Sequence, residues 1–274
     1  MLVAAAVLLG PACRLRDRSL ERVRAAGVLR AGYASERPYA FRDAAGRVVG
    51  HDPELLEAVA RALGIGRVEW EQVEFGSLLG DLAAGRYDVV GMSLAVTPER
   101  SALAAFSSPT AVAANALLVR VGNPLRISGY SDLARLPEAR IAVVAGAIEV
   151  GFAESAGVPR SRIVEVPDAR TGVAAVQTGF AAAFGLTAPT LRFLTGAGGG
   201  RELQVVAPLR DPAAAGVPKM TVGAFVFRPA DRALRTAFNE ALAVRLREPD
   251  FRAMALRYGF GEDPPAAGAL GVGR

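Results

Sequence analysis

The sequence predicts an α/β fold, and three observations carry that prediction. Short β-rich runs alternate with helix-period segments along most of the chain. An apolar fraction of 51% over 274 residues supplies enough material for a real core. Gly, Pro, Asn and Asp recur between these segments, where turns are needed.

Taken in order, residues 1–9 are apolar, Gly10-Pro11-Ala12 are small or helix-breaking, and Cys13 follows. This pattern resembles a shortened secretory segment ending at a lipoprotein-type cysteine. Nine apolar residues are too few to span a bilayer of about 30 Å as a helix. Residues 1–19 are therefore expected to be an export segment lipidated at Cys13, with 14–19 as a polar tether. The first strand is expected at 28–33. In the helix that follows, Asp52 caps, Pro53 takes the first turn, Leu55, Leu56, Val59 and Leu63 form one apolar face, and Gly64 ends it. Residues 68–73 read as a strand, 77–84 as a helix stopped by Gly85, and 89–92 as a buried strand. Thr97-Pro98 supplies a cap and first turn. A strand at 116–121 leads to Gly122-Asn123-Pro124, taken as the passage into a second α/β series.

Strands of that second series are expected at 141–144, 163–166 and 181–184, with helices near 149–156 and 172–178 and a flexible loop at 196–200. Two more strands, 203–207 and 222–227, precede a long helix over 229–248, whose Leu234, Phe238, Leu242 and Leu246 share one stripe. A last helix covers 251–258. The domain reading is a leader and tether at 1–19, a first lobe at 20–120 and a second lobe at 121–220. The chain returns to the first lobe over 221–262, and a loose Pro-, Ala- and Gly-rich tail fills 263–274.

Composition excludes several function classes. Cys13 is the only cysteine and His51 the only histidine, so a disulfide framework, a Cys-based zinc cluster and a His-rich metal site all lack their residues. No GxSxG elbow, P-loop or strand-linked GxGxxG is present. The net charge of +5 is spread along the chain, and every basic residue but Lys219 is arginine. No phosphate-binding face is therefore expected, and neither nucleic acid nor a cofactor.

Ligands of open α/β sheets sit beyond the carboxyl ends of the strands. Three such stretches stand out: Ala34-Ser35-Glu36-Arg37-Pro38-Tyr39, Glu74-Phe75-Gly76, and Gly91 through Arg100. Arg100 can hold a carboxylate through two parallel charge-assisted bonds, while Tyr39, Phe75 and Glu36 suit a cation. The set calls for a small zwitterion.

Leu29-Arg30-Ala31-Gly32-Tyr33, Pro38-Tyr39-Ala40-Phe41, Gly85-Arg86-Tyr87-Asp88, Thr97-Pro98-Glu99-Arg100 and Phe106-Ser107-Ser108-Pro109 stand at characteristic separations. In these the chain resembles the family 3 solute-binding proteins of polar amino-acid ABC transporters. The resemblance implies a type II periplasmic-binding-protein fold, two α/β lobes joined by a two-strand hinge and closing on a ligand. It also implies export to the periplasm or the outer face of the cell membrane, a membrane permease as partner, and a monomer. Gly122-Asn123-Pro124-Leu125, Tyr130-Ser131-Asp132-Leu133 and Val166-Pro167-Asp168 resemble the ectoine and hydroxyectoine binders within that family.

By that resemblance Arg100 matches the carboxylate-binding arginine and Ser93 offers a main-chain carbonyl. Glu36, Tyr39 and Phe75 match the acid and two rings around the ligand, and Ala95 stands where a third ring is usual. The usual Gly-Thr is Ala147-Ile148, which leaves backbone N–H groups near Gly146. Thr187 replaces the aspartate that holds an α-amino group, and Phe184 is expected to supply an apolar contact. The ligand implied is ectoine-like or an amino-acid derivative with a shielded or delocalised cation. The alternative is a cyclohexadienyl dehydratase-like enzyme on the same scaffold, with Glu36, the one acid nominated, as general acid.

Overall fold

The computed structural model describes residues 17–196 and 202–261, so Cys13, most of the glycine loop and the 263–274 tail lie outside the described residues. Helix α1 (Ser19–Ala26) precedes β1 (Val28–Tyr33), and a β2–β3 hairpin (Phe41–Arg42, Val48–Val49) leads to α2 (His51–Ala62). The cap of α2 is Gly50, not Asp52. Gly50 sits at φ +133°, and a Cβ there would lie 2.3 Å from the Tyr39 carbonyl oxygen, so only glycine fits. Asp52 is left free to turn inward, where its carboxylate accepts from the Ser93 N–H at 2.6 Å and the Ser93 hydroxyl at 2.8 Å.

After α2 come β4 (Arg67–Gln72), α3 (Leu78–Ala83), β5 (Val89–Ala95), α4 (Pro98–Leu103), β6 (Ala105–Phe106) and β7 (Ala111–Arg120). The next elements are α5 (Tyr130–Arg135), β8 (Ile141–Val144), α6 (Glu149–Ser155), β9 (Ile163–Val166), α7 (Ala169–Gln177), β10 (Ala183–Thr187) and α8 (Ala188–Leu194). The chain closes with β11 (Leu203–Val206), β12 (Met220–Phe227), α9 (Arg232–Arg245) and α10 (Pro249–Arg257).

The strands hydrogen-bond in the order β4-β1-β5-β12-β7-β10-β8-β9. β1 runs parallel to β4 and β5, and β8 parallel to β9 and β10, which gives two parallel α/β halves. They join through the antiparallel pair β7–β12, from Met220 opposite Ala114 to Gly223 opposite Ala111. Beyond Ala114, β7 leaves β12 and pairs with β10, Asn115 facing Thr187. β7 and β12 are thus the two-strand connection between the halves.

Each half has its own core. Leu29, Leu55, Val59, Phe225, Phe238 and Leu242 pack in the first. In the second, Leu117, Tyr130, Ile141 and Val143 pack on one face of the sheet, and Leu118, Ala142, Val176 and Phe184 on the other. Two of the motifs turn out to be scaffold. The Tyr87 ring fills the space at Gly32, where a Cβ would lie 2.3 Å from it, and Asp88 gathers Arg22, Arg30 and Arg228. The Ser107 hydroxyl accepts from the Phe225 N–H at 3.1 Å, and the Ser108 N–H donates to Asn239 on α9 at 2.8 Å.

Candidate ligand-binding cleft

A cavity opens where the carboxyl ends of β1, β4 and β5 face those of β8 and β10. From the first half Glu36, Tyr39, Phe75, Ser93, Ala95 and Arg100 line it. The second half contributes Ile148, Glu149, Leu186 and Thr187, and the hinge strands contribute Ala111, Ala113, Thr221 and Gly223. Of the ten residues anticipated from sequence, eight meet here.

Arg100 is held by the start of α4. Thr97 caps the helix, its hydroxyl accepting from the Arg100 N–H at 3.3 Å, and Pro98 sets the first turn. The guanidinium donates to the Ala95 carbonyl at 3.1 Å and, across the cleft, to the Gly146 carbonyl at 3.0 Å. It also lies 5.7 Å from the Phe75 ring centre. Burial lowers its pKa, and the charges of Glu149 and Glu99 work against that. Arg100 thus spans the two halves instead of facing bulk water, and among the described residues lining the cavity it is the one cation.

Glu36 is half-buried and accepts from the Thr190 hydroxyl at 2.7 Å. Burial pushes its carboxyl up to about 7, with the Thr190 bond opposing and Asp52 reinforcing the rise. The Tyr39 hydroxyl donates to Thr187 at 3.3 Å, and its ring meets Phe260 edge-on at 5.0 Å, so one side of that ring belongs to the core. Burial and the charge of Glu36 raise the Tyr39 pKa well above its ordinary value. The Ser93 hydroxyl is engaged by Asp52 and by Thr110 at 2.6 Å, so this side chain braces the floor of the cleft.

Two anticipated residues stand elsewhere. Phe184 is fully buried in the second core, its ring filling the space over Gly172, where a Cβ would be 2.4 Å away. It shares a sheet face with Leu186 but lies one pleat deeper, and Leu186, nearer the end of β10, makes the apolar contact with the cavity instead. Gly146 does not line the cavity. Its carbonyl is taken by Arg100, and a Cβ on it would lie 2.9 Å from Gly76 Cα in the opposite half.

Glu36 is not the only acid in the cleft. Glu149, first residue of α6, is 3% exposed and lines the same cavity. Burial pushes its carboxyl up to about 7, its own backbone N–H opposes this, and Glu36 adds to it while Arg100 subtracts. In sequence Glu149 reads as an acid complementing a helix dipole. Its position directly after the Ala147-Ile148 turn that follows β8 was the available signal. Among the described residues no group of His, Cys, Asp and Glu is arranged to hold a metal ion.

Residues 29–262 match the bacterial extracellular solute-binding proteins, family 3. The chain belongs to that family. It is 32% identical over 261 residues to the probable amino-acid ABC transporter periplasmic-binding protein y4tE of Sinorhizobium fredii, covering 94% of this chain and 86% of the relative. The structure of EhuB in complex with hydroxyectoine matches with a TM-score of 0.84 and 32% identity, covering 90% of this chain and 93% of that one. An ancestral amino acid-binding protein, AncCDT-1, described as a precursor of cyclohexadienyl dehydratase, shares the fold at a TM-score of 0.77 and 23% identity, over 88% of this chain and 99% of that one. The anticipated type II periplasmic-binding-protein fold is therefore the one observed. No helix among the described residues is long and apolar enough to cross a membrane, and the family is an extracellular one.

Proposed function

We propose that the chain is the binding component of an ABC importer and closes its two halves around a small zwitterion, an ectoine-like solute or an amino-acid derivative. The observation that carries this reading is the cleft itself: one guanidinium, Arg100, shares it with the Phe75 ring, the Tyr39 hydroxyl and the acid Glu36. A carboxylate takes two N–H donors of Arg100, while the cationic part lies against the ring and beside Glu36. Thr187, which lacks a charge, leaves an ordinary α-ammonium without its strongest partner. The relatives described as transporter binding proteins, and EhuB with its hydroxyectoine, support the reading. Export with lipid attachment at Cys13, docking of the closed form on a membrane permease, and a monomeric state belong to the same proposal.

Calorimetric titration with ectoine, hydroxyectoine, betaines and a panel of amino acids tests it. Arg100→Ala is expected to weaken the best ligand by about 100-fold or more, because an anion then enters the cleft without its counter-charge. Unchanged affinity would remove Arg100 from the site. One observation favours the enzyme alternative: an acid held near 7, as Glu36 is, could protonate a leaving hydroxyl. Turnover of prephenate-like acids, abolished by Glu36→Gln, would establish that reading in place of binding alone.

A further inference from the structure

Glu149 has no evident role in the reading above. It is nearly fully buried, and among the described residues no side chain donates a hydrogen bond to it; its own backbone N–H is its polar contact. Arg100, the one cation lining the cavity among the described residues, gives one N–H each to the carbonyls of Ala95 and Gly146 and none to Glu149. The other groups facing it electrostatically, Glu36, Tyr39 and Tyr130, are acids or neutral phenols, and the buried Tyr130 hydroxyl has no hydrogen-bond partner among the described residues. A carboxylate so placed is costly to ionise unless a cation joins it. Glu36, on the opposite wall, accepts from the Thr190 hydroxyl and, among the described residues, from no other side chain.

From this arrangement, and resting on the reading that the cleft takes a cation-bearing monocarboxylate, we propose that Glu149 is a specificity-determining residue. With Glu36 it forms a two-carboxylate receptor for a cation that presents N–H donors in two directions, an amidinium or a guanidinium. The chemistry separates candidate cations. A quaternary ammonium can lie on the Phe75 ring but has no N–H to give either acid. A delocalised cation with diverging N–H groups serves an acid on each half at once, so that its binding draws the halves together.

The test is calorimetric titration at pH 8, where both acids are ionised, of the wild type, Glu149→Gln and Glu149→Asp with ectoine, guanidinoacetate and glycine betaine. Wild type is expected to bind ectoine or guanidinoacetate more tightly than glycine betaine, and the preferred one of the two tells amidinium from guanidinium. Glu149→Gln should weaken that ligand by at least about 30-fold, while glycine betaine changes by less than about three-fold, and Glu149→Asp should recover part of the loss. Repeating the titration at pH 7 in buffers of different ionisation enthalpy should show protons released by the wild type and fewer by Glu149→Gln, which a merely structural residue would not alter. Equal affinity and equal proton release in Glu149→Gln, a parallel loss for glycine betaine, or a wild type that prefers glycine betaine would overturn the proposal. A wild type that binds none of the three overturns the functional reading beneath it, and the proposal with it.

Discussion

Asp88 is buried to 2% exposure, and burial alone would raise its pKa. Hydrogen bonds from Arg30 and Arg22 outweigh that and hold the carboxyl at about 2. A carboxyl depressed in this way stabilises the fold above its unfolded pKa and loses that contribution as pH falls through the folded one. Asp88→Asn is therefore expected to cost about 2 to 3 kcal/mol at pH 7, the lower figure reflecting the solvent around Arg22 and Arg30. In chemical denaturation the gap from wild type should shrink as pH drops from about 4 toward about 2; a gap independent of pH would mean that charge is not the cause. Asp88, Tyr87 and Ser107 were legible as members of motifs, yet their spacing does not say that they brace the scaffold and leave the ligand to Arg100. Glu149 was illegible for a different reason. A carboxyl in a first helical turn is ordinary on sequence alone, and only the opposing half shows that this one is walled in.

Among the elements, the strands 141–144 and 163–166 lie where their β-branched runs place them, and 28–33 lies at its expected bounds. α1 was missed because its only buried residues are Ser19 and Val23 in a segment rich in Arg and Glu. The hydroxyl of Ser19 and the carboxylate of Asp17 instead accept from the Leu234 and Ala233 N–H groups at the start of α9. α5 has six residues, too few for a helical period to show. β7 begins at Ala111, ahead of the expected 116, because Ala111 to Ala114 pair with β12 although alanine carries little strand signal. The turn after β8 carries a sharper consequence. Gly146 is at φ +77° and its missing Cβ would press on Gly76 Cα at 2.9 Å, whereas a Cβ on Gly76 would meet only the Ala145 carbonyl oxygen at an ordinary 3.5 Å. Gly146→Ala is therefore expected to hold the halves apart and weaken ligand binding by at least about ten-fold, while Gly76→Ala stays within about three-fold of wild type. Titration of both variants checks this, and equal effects would show that backbone approach at this turn does not limit closure.

At the scale of the whole molecule, the closed arrangement brings Glu36 and Glu149 into one cavity from opposite halves, and this sets a balance that pH can tip. The hydrogen bonds from Thr190 to Glu36, Tyr39 to Thr187 and Arg100 to Gly146 cross between the halves, each contributing about 1 kcal/mol net. Against them, keeping Glu149 ionised in the cavity costs about 3 kcal/mol, given a carboxyl moved from 4.5 to about 7. The sign follows from linkage: a carboxyl raised in the closed state favours that state at low pH and ceases to do so as pH rises through about 7. Arg100 pulls the other way, but a guanidinium is not deprotonated in this range, so it adds no slope of its own. Opening about the β7–β12 pair relieves the acids without unfolding either core, so the unliganded protein should swing open before it melts. Small-angle scattering of the unliganded chain is expected to give a larger radius of gyration at pH 8 than at pH 5, with the change falling between the ordinary carboxyl value of 4.5 and about 7. The double variant Glu36→Gln, Glu149→Gln should stay compact at both pH values, and saturating ligand should abolish the difference in the wild type. A radius independent of pH in the unliganded wild type would show that the two acids do not govern closure.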